Sequence, residues 1–426
     1  MPSPLSPIEP STEARRPGSA RRPAGREDGS EIAPRPLPRL PLDPLLTLAV
    51  LGLAIASVLT LGPATRRLIP GQPHYYVERQ AIYLVLGGLF MVALSRLDYA
   101  RLRQFKYAIY ALLILGILAV LAAGSSANGS LRAISLPFFS FQASELGKVL
   151  LILALSSFVV DRSRRLRERD TTVRVMLAAL VPAMFVIAQP DLGSGIVYMV
   201  IAFTLLFVAG TSWRHLAALV ALVVLSLTFV LVAAPAVGVH VLKPYQAERL
   251  TAFLNPSSNF VEIKEQESKT REPDPRYQLA QSKIAIGSGQ KTGRGAGATQ
   301  IPLNFVPESD TDFVFAAVGE QYGFLGAALV LCLYGLLIWR TLRILVMAKD
   351  LFGSLVAGGV AAMLMFQVFV NVGMTIGIMP ITGVTLPLMS YGGSSVITTL
   401  LAVGLLQSIY VQARASAALK GRVPLY

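Results

Sequence analysis

Long runs of apolar residues, with no polar face to break them, dominate the chain after its first forty or so positions. Ten such segments lie at roughly 44–62, 77–94, 106–123, 142–160, 174–189, 194–210, 216–236, 313–338, 352–374 and 394–412. A helix needs ~20 apolar residues to cross the hydrocarbon layer, and a segment hydrophobic all round is one that lipid or a protein core surrounds. The pattern predicts an all-α polytopic membrane protein of about ten transmembrane helices. The two longest polar stretches set its boundaries. Residues 1–43, rich in Pro, Arg, Ser and Glu, read as a disordered tail, and 237–312 as a large link between the seventh and eighth spans. No small-residue cleavage site follows the first apolar run, so no signal peptide is expected. The membrane domain then covers 44–413, and 414–426 is a second short tail.

Charge in the short links gives the orientation. The link 95–105 carries Arg96, Arg101 and Arg103, 161–174 carries six arginines, and 339–351 carries Arg340, Arg343 and Lys349, whereas 190–193 and 375–393 have neither Lys nor Arg. The positive-inside rule places both termini in the cytoplasm and the 237–312 link outside. Four polar stretches that played no part in that assignment then share the outer side: 128–148, 189–194, the approach to Asp312, and 371–395. A single extracytoplasmic cavity would require this.

Composition narrows the reading further. The 426 residues are 54% hydrophobic and 15% charged. The net charge of +14 sits mainly in membrane-flanking links, which fits topology and membrane lipid and argues against nucleic acid. Cys332 is the only cysteine and the histidines are His74, His215 and His240, so neither a disulfide nor a His-based zinc centre is expected.

Chemistry-bearing residues interrupt the apolar pattern at four places. Glu308, Asp310 and Asp312 stand where a polar loop meets the eighth span, and Glu320 lies deeper. At ~1.5 Å per helical residue, Asp312 and Glu320 would be about 12 Å apart on one helical face. Glu145 and Lys148 are three residues apart in the fourth span, hence on one face. Such a pair inside a membrane is either a structural ion pair or the lining of a site for charged substrate. The turn Gln189-Pro-Asp191 is polar, with Asp191 also suited to cap the sixth span. Around Ser390 and Tyr391, Pro- and Gly-rich sequence at membrane depth must be buried in protein or line a wet cavity. In the long link, Gln278–Ile286 has a helical apolar stripe suited to the membrane surface. The Gly-rich 287–297 that follows reads as a hinged lid, since it lacks the context of a nucleotide-binding loop, and 256–275 as exposed loop.

The strings FQASELGK (141–148), QPDLGSG (189–195), SKIAIGSG (282–289), GATQIPLNFVPESDTDFVF (297–315) and NVGMTIGIMPITGVTLPLMSYGGSS (371–395) resemble those of the SEDS family (shape, elongation, division and sporulation), in the wording of its RodA branch. The resemblance runs from about 44 to 413. It implies a peptidoglycan glycosyltransferase of the bacterial cytoplasmic membrane that polymerises lipid II on the outer side during elongation, working with a class B penicillin-binding transpeptidase. It makes Asp312, Glu145 and Lys148 the catalytic set, with Asp312 as general base. Arg132, Arg79, Glu308, Lys283, Gln189, Asp191, Ser390 and Tyr391 are then the substrate-binding set. A divalent cation (Mg or Mn), held by carboxylates such as Glu145, is an alternative source of positive charge at the leaving diphosphate. Three positions depart from the family wording: Asp310 stands where the family has His, Ala133 where it has Trp, and Ala143 where it has Pro. Without the resemblance, a flippase for lipid-linked precursors fits the intramembrane charges about as well as an enzyme, and a non-catalytic scaffold for a synthase is a third reading.

Overall fold

The computed structural model describes residues 42–66, 68–123, 125–127, 130–135, 139–229, 249, 253, 275–295, 298, 301, 306, 308–419 and 421. The expectations for the tail before 42, for 256–274 and for the final residues lie outside them. Over the described residues, each of the ten predicted segments is helical: α1 (Pro44–Thr65), α2 (Tyr75–Ser95), α3 (Lys106–Ala123), α4 (Ala143–Asp161), α5 (Arg169–Ala188), α6 (Leu192–Val208), α7 (Trp213–Thr228), α9 (Val314–Met347), α10 (Leu351–Ile376) and α11 (Gly393–Leu419). α8 (Pro275–Ser288) lies in the long link. Eight of these helices are long and apolar enough to cross a membrane, and α6 and α7 are shorter apolar helices. The chain is a multi-pass helical membrane protein. α11 continues past the predicted boundary at 413 as helix.

Local chemistry fixes the helix ends. Asp43 precedes Pro44 and accepts the Leu46 N–H, the usual pairing of a carboxylate cap with proline in the first turn. Asp350 caps α10 in the same way, and that helix stops at Gly377, whose left-handed φ of 82° suits glycine. α4, α10 and α11 form the centre of the bundle, with most of their residues buried, whereas α2, α3 and α9 turn long apolar faces outward.

Polar ties hold one end of the bundle, the end with the basic links. Asp43 pairs with Arg340 and donates its backbone N–H to Gln407 Oε1, Asp161 takes both Arg103 and Lys106, and Lys349 donates to Gln412. The opposite end carries three short antiparallel strands between α3 and α4, namely β1 (Ser125–Ala127), β2 (Ser130–Ser135) and β3 (Ser140–Phe141) in the order β1-β2-β3. It also carries α8, the turn before α9 and the non-helical segment 377–392.

Three expectations need correction here. Asp312 and Glu320 do not share a helix, because α9 starts at Val314 and Asp312 belongs to the turn before it. The glycine-rich stretch does not behave as a free lid over the residues described. Its 289–294 turn docks into a break of α9 at Gly323 (φ 63°, ψ −159°), where Gln290 and Lys291 carbonyls accept the Phe324 and Leu325 N–H groups and Glu320 O accepts the Arg294 N–H. The break frees backbone donors that need partners, and glycines on both sides let the two backbones touch. The apolar stripe of α8 rests on protein, with Leu279, Ser282 and Ala285 buried and the Ser282 hydroxyl donating to Thr375 O.

Candidate active site

Asp312 lies in a tight turn that Glu308 builds. Glu308 has a left-handed φ of 56°, uncommon for a residue with a side chain, and its carbonyl accepts the Thr311 and Phe313 N–H groups. Its carboxylate accepts the Thr311 hydroxyl at 2.9 Å. Phe313, fully buried among Val306, Ala316, Ala317 and Met374, anchors the turn to the start of α9. Within the turn, Asp310 is mostly buried, and that burial pushes its carboxyl from 3.8 up to about 6, with repulsion from Glu308 adding to the rise.

The segment 377–392 and α10 hold this turn from the other side. Tyr391 N–H donates to Asp310 O at 2.7 Å, the Ser390 hydroxyl donates to Thr311 O at 2.6 Å, and Asn371 Nδ2 donates to Asp312 O at 2.8 Å. Asn371 also donates to Val384 O at 2.7 Å. Arg79 of α2 stacks its guanidinium over Tyr75, 4.4 Å from the ring centre. The Tyr391 ring packs on Tyr76 at 4.8 Å. Burial pushes the Tyr391 phenol up, and the Arg79 charge pulls against it.

Glu145 sits in the first turn of α4, where a carboxylate suits the positive end of the helix dipole. Lys148 donates to it at 2.6 Å, and both side chains are buried, Glu145 5% and Lys148 1% exposed. Beside them Ser144 donates to Asp191 at 2.8 Å, and Asp191 caps α6 by accepting the Ser194 N–H. The Gln142 N–H donates to Ser394, whose hydroxyl donates on to Ser140 O. Gly193 lies so close to Thr382 and Val384 that no side chain fits between them. These contacts tie α4 to α6 and to the start of α11 and set α6 against the 377–392 segment, which in turn bonds to the Asp312 turn.

Not every predicted residue stands here as a free group. Gln189 is buried and spends its amide on Ile117 O at 2.7 Å, and both Asp191 oxygens and the Ser390 hydroxyl are already engaged. Lys283 of α8 lies over Gly377 at the end of α10. Arg132 is on β2. Sequence reasoning had no role for Ser144, Gln142 or Asn371 individually, although an asparagine inside an apolar helix was the available signal. Of the carboxylates that could hold a divalent cation, Glu145 is paired with Lys148, and among the described residues no three His, Cys, Asp or Glu side chains gather. Lys148 and Arg79 are two positively charged side chains among the described residues of these stretches.

A polytopic helical bundle with buried, opposed charges and a clamped acidic turn at one end is the kind of arrangement on which a membrane enzyme or transporter builds its site. The family model described as cell cycle protein, covering FtsW, RodA and SpoVE, matches residues 42–415, and the chain belongs to this family. It is 37% identical to a probable peptidoglycan glycosyltransferase FtsW of Thioalkalivibrio sulfidiphilus, over 94% of this chain and 97% of that protein. It is 34% identical to the peptidoglycan glycosyltransferase MrdB of Escherichia coli K12, over 87% and 93%. Among solved structures, RodA of Thermus thermophilus is similar, with a TM-score of 0.61 and 29% identity over 88% of this chain and 98% of that one. A chain from a peptidoglycan synthase complex that coordinates polymerization and crosslinking reaches 0.70 and 31%, over 87% and 98%.

Proposed function

We propose that this chain carries out the peptidoglycan glycosyltransferase reaction named for its relatives, polymerising lipid II on the outer face of the cytoplasmic membrane, with Asp312 as general base. The observation that carries the reading is that hydrogen bonds link the four polar stretches, Ser144 to Asp191, Gln142 to Ser394 and Asn371 to Asp312, while a buried Glu145–Lys148 pair stands in the helix that one of them opens. A buried ion pair adds little stability by itself, and buried charge inside a membrane bundle marks a functional site by default.

In this reaction the C4 hydroxyl of an acceptor GlcNAc attacks C1 of a donor MurNAc that carries an undecaprenyl diphosphate. The new C1–O bond forms as the C1–diphosphate oxygen bond breaks, with inversion from α to β, so no covalent carboxylate intermediate is needed. Asp312 takes the hydroxyl proton, a contribution typically worth ~10²–10⁴-fold. The diphosphate leaves with its electron pair and needs cationic stabilisation, for which Lys148, Arg132 and Arg79 are the candidates. The basic links on the opposite end support cytoplasmic termini by the positive-inside rule. The synthase complex among the structural relatives supports a class B penicillin-binding transpeptidase as partner, and the RodA-like wording supports a role in elongation.

The test uses the purified full chain in vesicles with labelled lipid II, reading glycan strands and lipid II translocation separately. Asp312→Asn is expected to lower polymerisation at least 100-fold while lipid II binding persists. Near-normal glycan synthesis by this variant would remove Asp312 from the role. Translocation by the wild type without glycan synthesis would favour a flippase.

A further inference from the structure

We propose that Asn371 and Ser390 are positioning residues that set where the Asp312 carboxylate points, an inference that rests on Asp312 being the base. Three consecutive carbonyls, those of Asp310, Thr311 and Asp312, each accept a hydrogen bond from outside α9: from Tyr391 N–H, Ser390 Oγ–H and Asn371 Nδ2–H. Holding three successive carbonyls fixes the peptide planes on both sides of Thr311 and the one that follows Asp312. That determines the position and direction of the Asp312 Cα–Cβ bond. The start of α9 alone does not do this, since Asp312 precedes its first helical residue.

The donors are themselves held. Asn371 is fully buried and faces two carbonyl oxygens, Asp312 O and Val384 O, which only accept, so its amide nitrogen must be the atom turned toward them. Ser390, 1% exposed, accepts the Leu386 N–H at 2.8 Å while its hydroxyl points to Thr311 O. The segment that carries Ser390 and Tyr391 is pinned to three helices. Ser57 of α1 donates to Met389 O, Gln80 of α2 to Ser390 O and Tyr334 of α9 to Pro387 O. This is a supporting shell of the kind that keeps a catalytic group in place, where a misplacement near 1 Å costs on the order of 10²-fold in rate. Ser390 thereby has a role other than direct substrate contact: its hydroxyl proton and one lone pair are already committed.

The roles separate in kinetics. Wild type, Asp312→Asn, Ser390→Ala, Ser390→Thr and Asn371→Asp are purified as full chains in nanodiscs. Melting temperature, Kd for labelled lipid II and the polymerisation kcat are measured on each. Asn371→Asp keeps the size of the side chain but offers at most one hydrogen to two carbonyls. The expected result is a fall in kcat of at least tenfold for Ser390→Ala and Asn371→Asp with Kd within twofold of wild type, and recovery of most of the rate in Ser390→Thr, which keeps the hydroxyl. If folded Ser390→Ala and Asn371→Asp keep kcat within twofold while Asp312→Asn is inactive, the positioning role is wrong and the base assignment stands. A loss explained wholly by weaker lipid II binding also contradicts it. Turnover by Asp312→Asn would overturn the base assignment and this inference together.

Discussion

Glu145 and Lys148 illustrate how two charges persist in an apolar bundle: each is buried, and each is the other's partner at 2.6 Å. Removing one partner leaves the other charge uncompensated, at a cost of about 3–5 kcal/mol, whereas replacing both with neutral residues of similar size is close to neutral. Glu145→Gln and Lys148→Met should each lower the melting temperature of the purified protein, and the double variant should recover much of that stability while remaining inactive. A double variant destabilised by the sum of the two single losses would mean the two charges are not coupled. Asp310 makes a pH-dependent counterpart. Its carboxyl is raised from 3.8 to about 6 mainly by burial, so the folded chain keeps a proton that the unfolded chain releases. The stability it contributes is fully present below 3.8 and is lost as pH rises through about 6. Asp310→Asn should therefore flatten the melting-temperature profile across that interval, and an unchanged slope would argue against the raised value. At this scale the sequence was informative about which residues carry charge and less so about which spend it: that Gln189, Asp191 and Ser390 are committed to backbone or capping bonds depends on neighbours distant in the chain.

Helices were the most legible elements, because a span apolar all round needs only its own composition to be recognised. The exceptions fall where backbone meets backbone. Gly289 and Gly293 looked like hinge residues since glycine is permissive. The structure uses the same permissiveness for close approach to the α9 break at Gly323. Nothing local distinguishes those two uses. Gly323 has a φ/ψ pair (63°, −159°) that residues with a Cβ scarcely adopt, and a Cβ there would meet the backbone of Gly289, Lys291 and Gly293. Gly323→Ala should cost at least the ~1–3 kcal/mol of backbone strain, read as a lower melting temperature together with loss of protection from proteolysis in the 275–295 region. A variant as stable as wild type would mean that the docked turn adds nothing. The short strands β1–β3 escaped the hydropathy reading because they lie in a polar link and are too brief to give an alternating pattern.

Across the whole molecule, the polar ties sort to two ends. Asp43–Arg340, Asp161 with Arg103 and Lys106, and Lys349–Gln412 gather at the end of the basic links. The Glu145–Lys148 pair, the Asp191 cap and the Asp312 turn gather at the other. Link charge alone anticipated this separation. It did not anticipate the means of convergence, the 377–392 segment that bonds to the Asp312 turn and lies against Gly193, because a non-helical segment within a membrane bundle takes its shape from the helices around it. The most direct measurement is thiol accessibility at position 312. In a Cys332→Ser background, Asp312→Cys is treated in intact cells and in inverted vesicles with a membrane-impermeant thiol reagent, with and without lipid II. Modification only from the outer side, slowed when lipid II is present, is the expected result. Labelling from the cytoplasmic side, or labelling that lipid II does not affect, would contradict an outward-facing site built around Asp312.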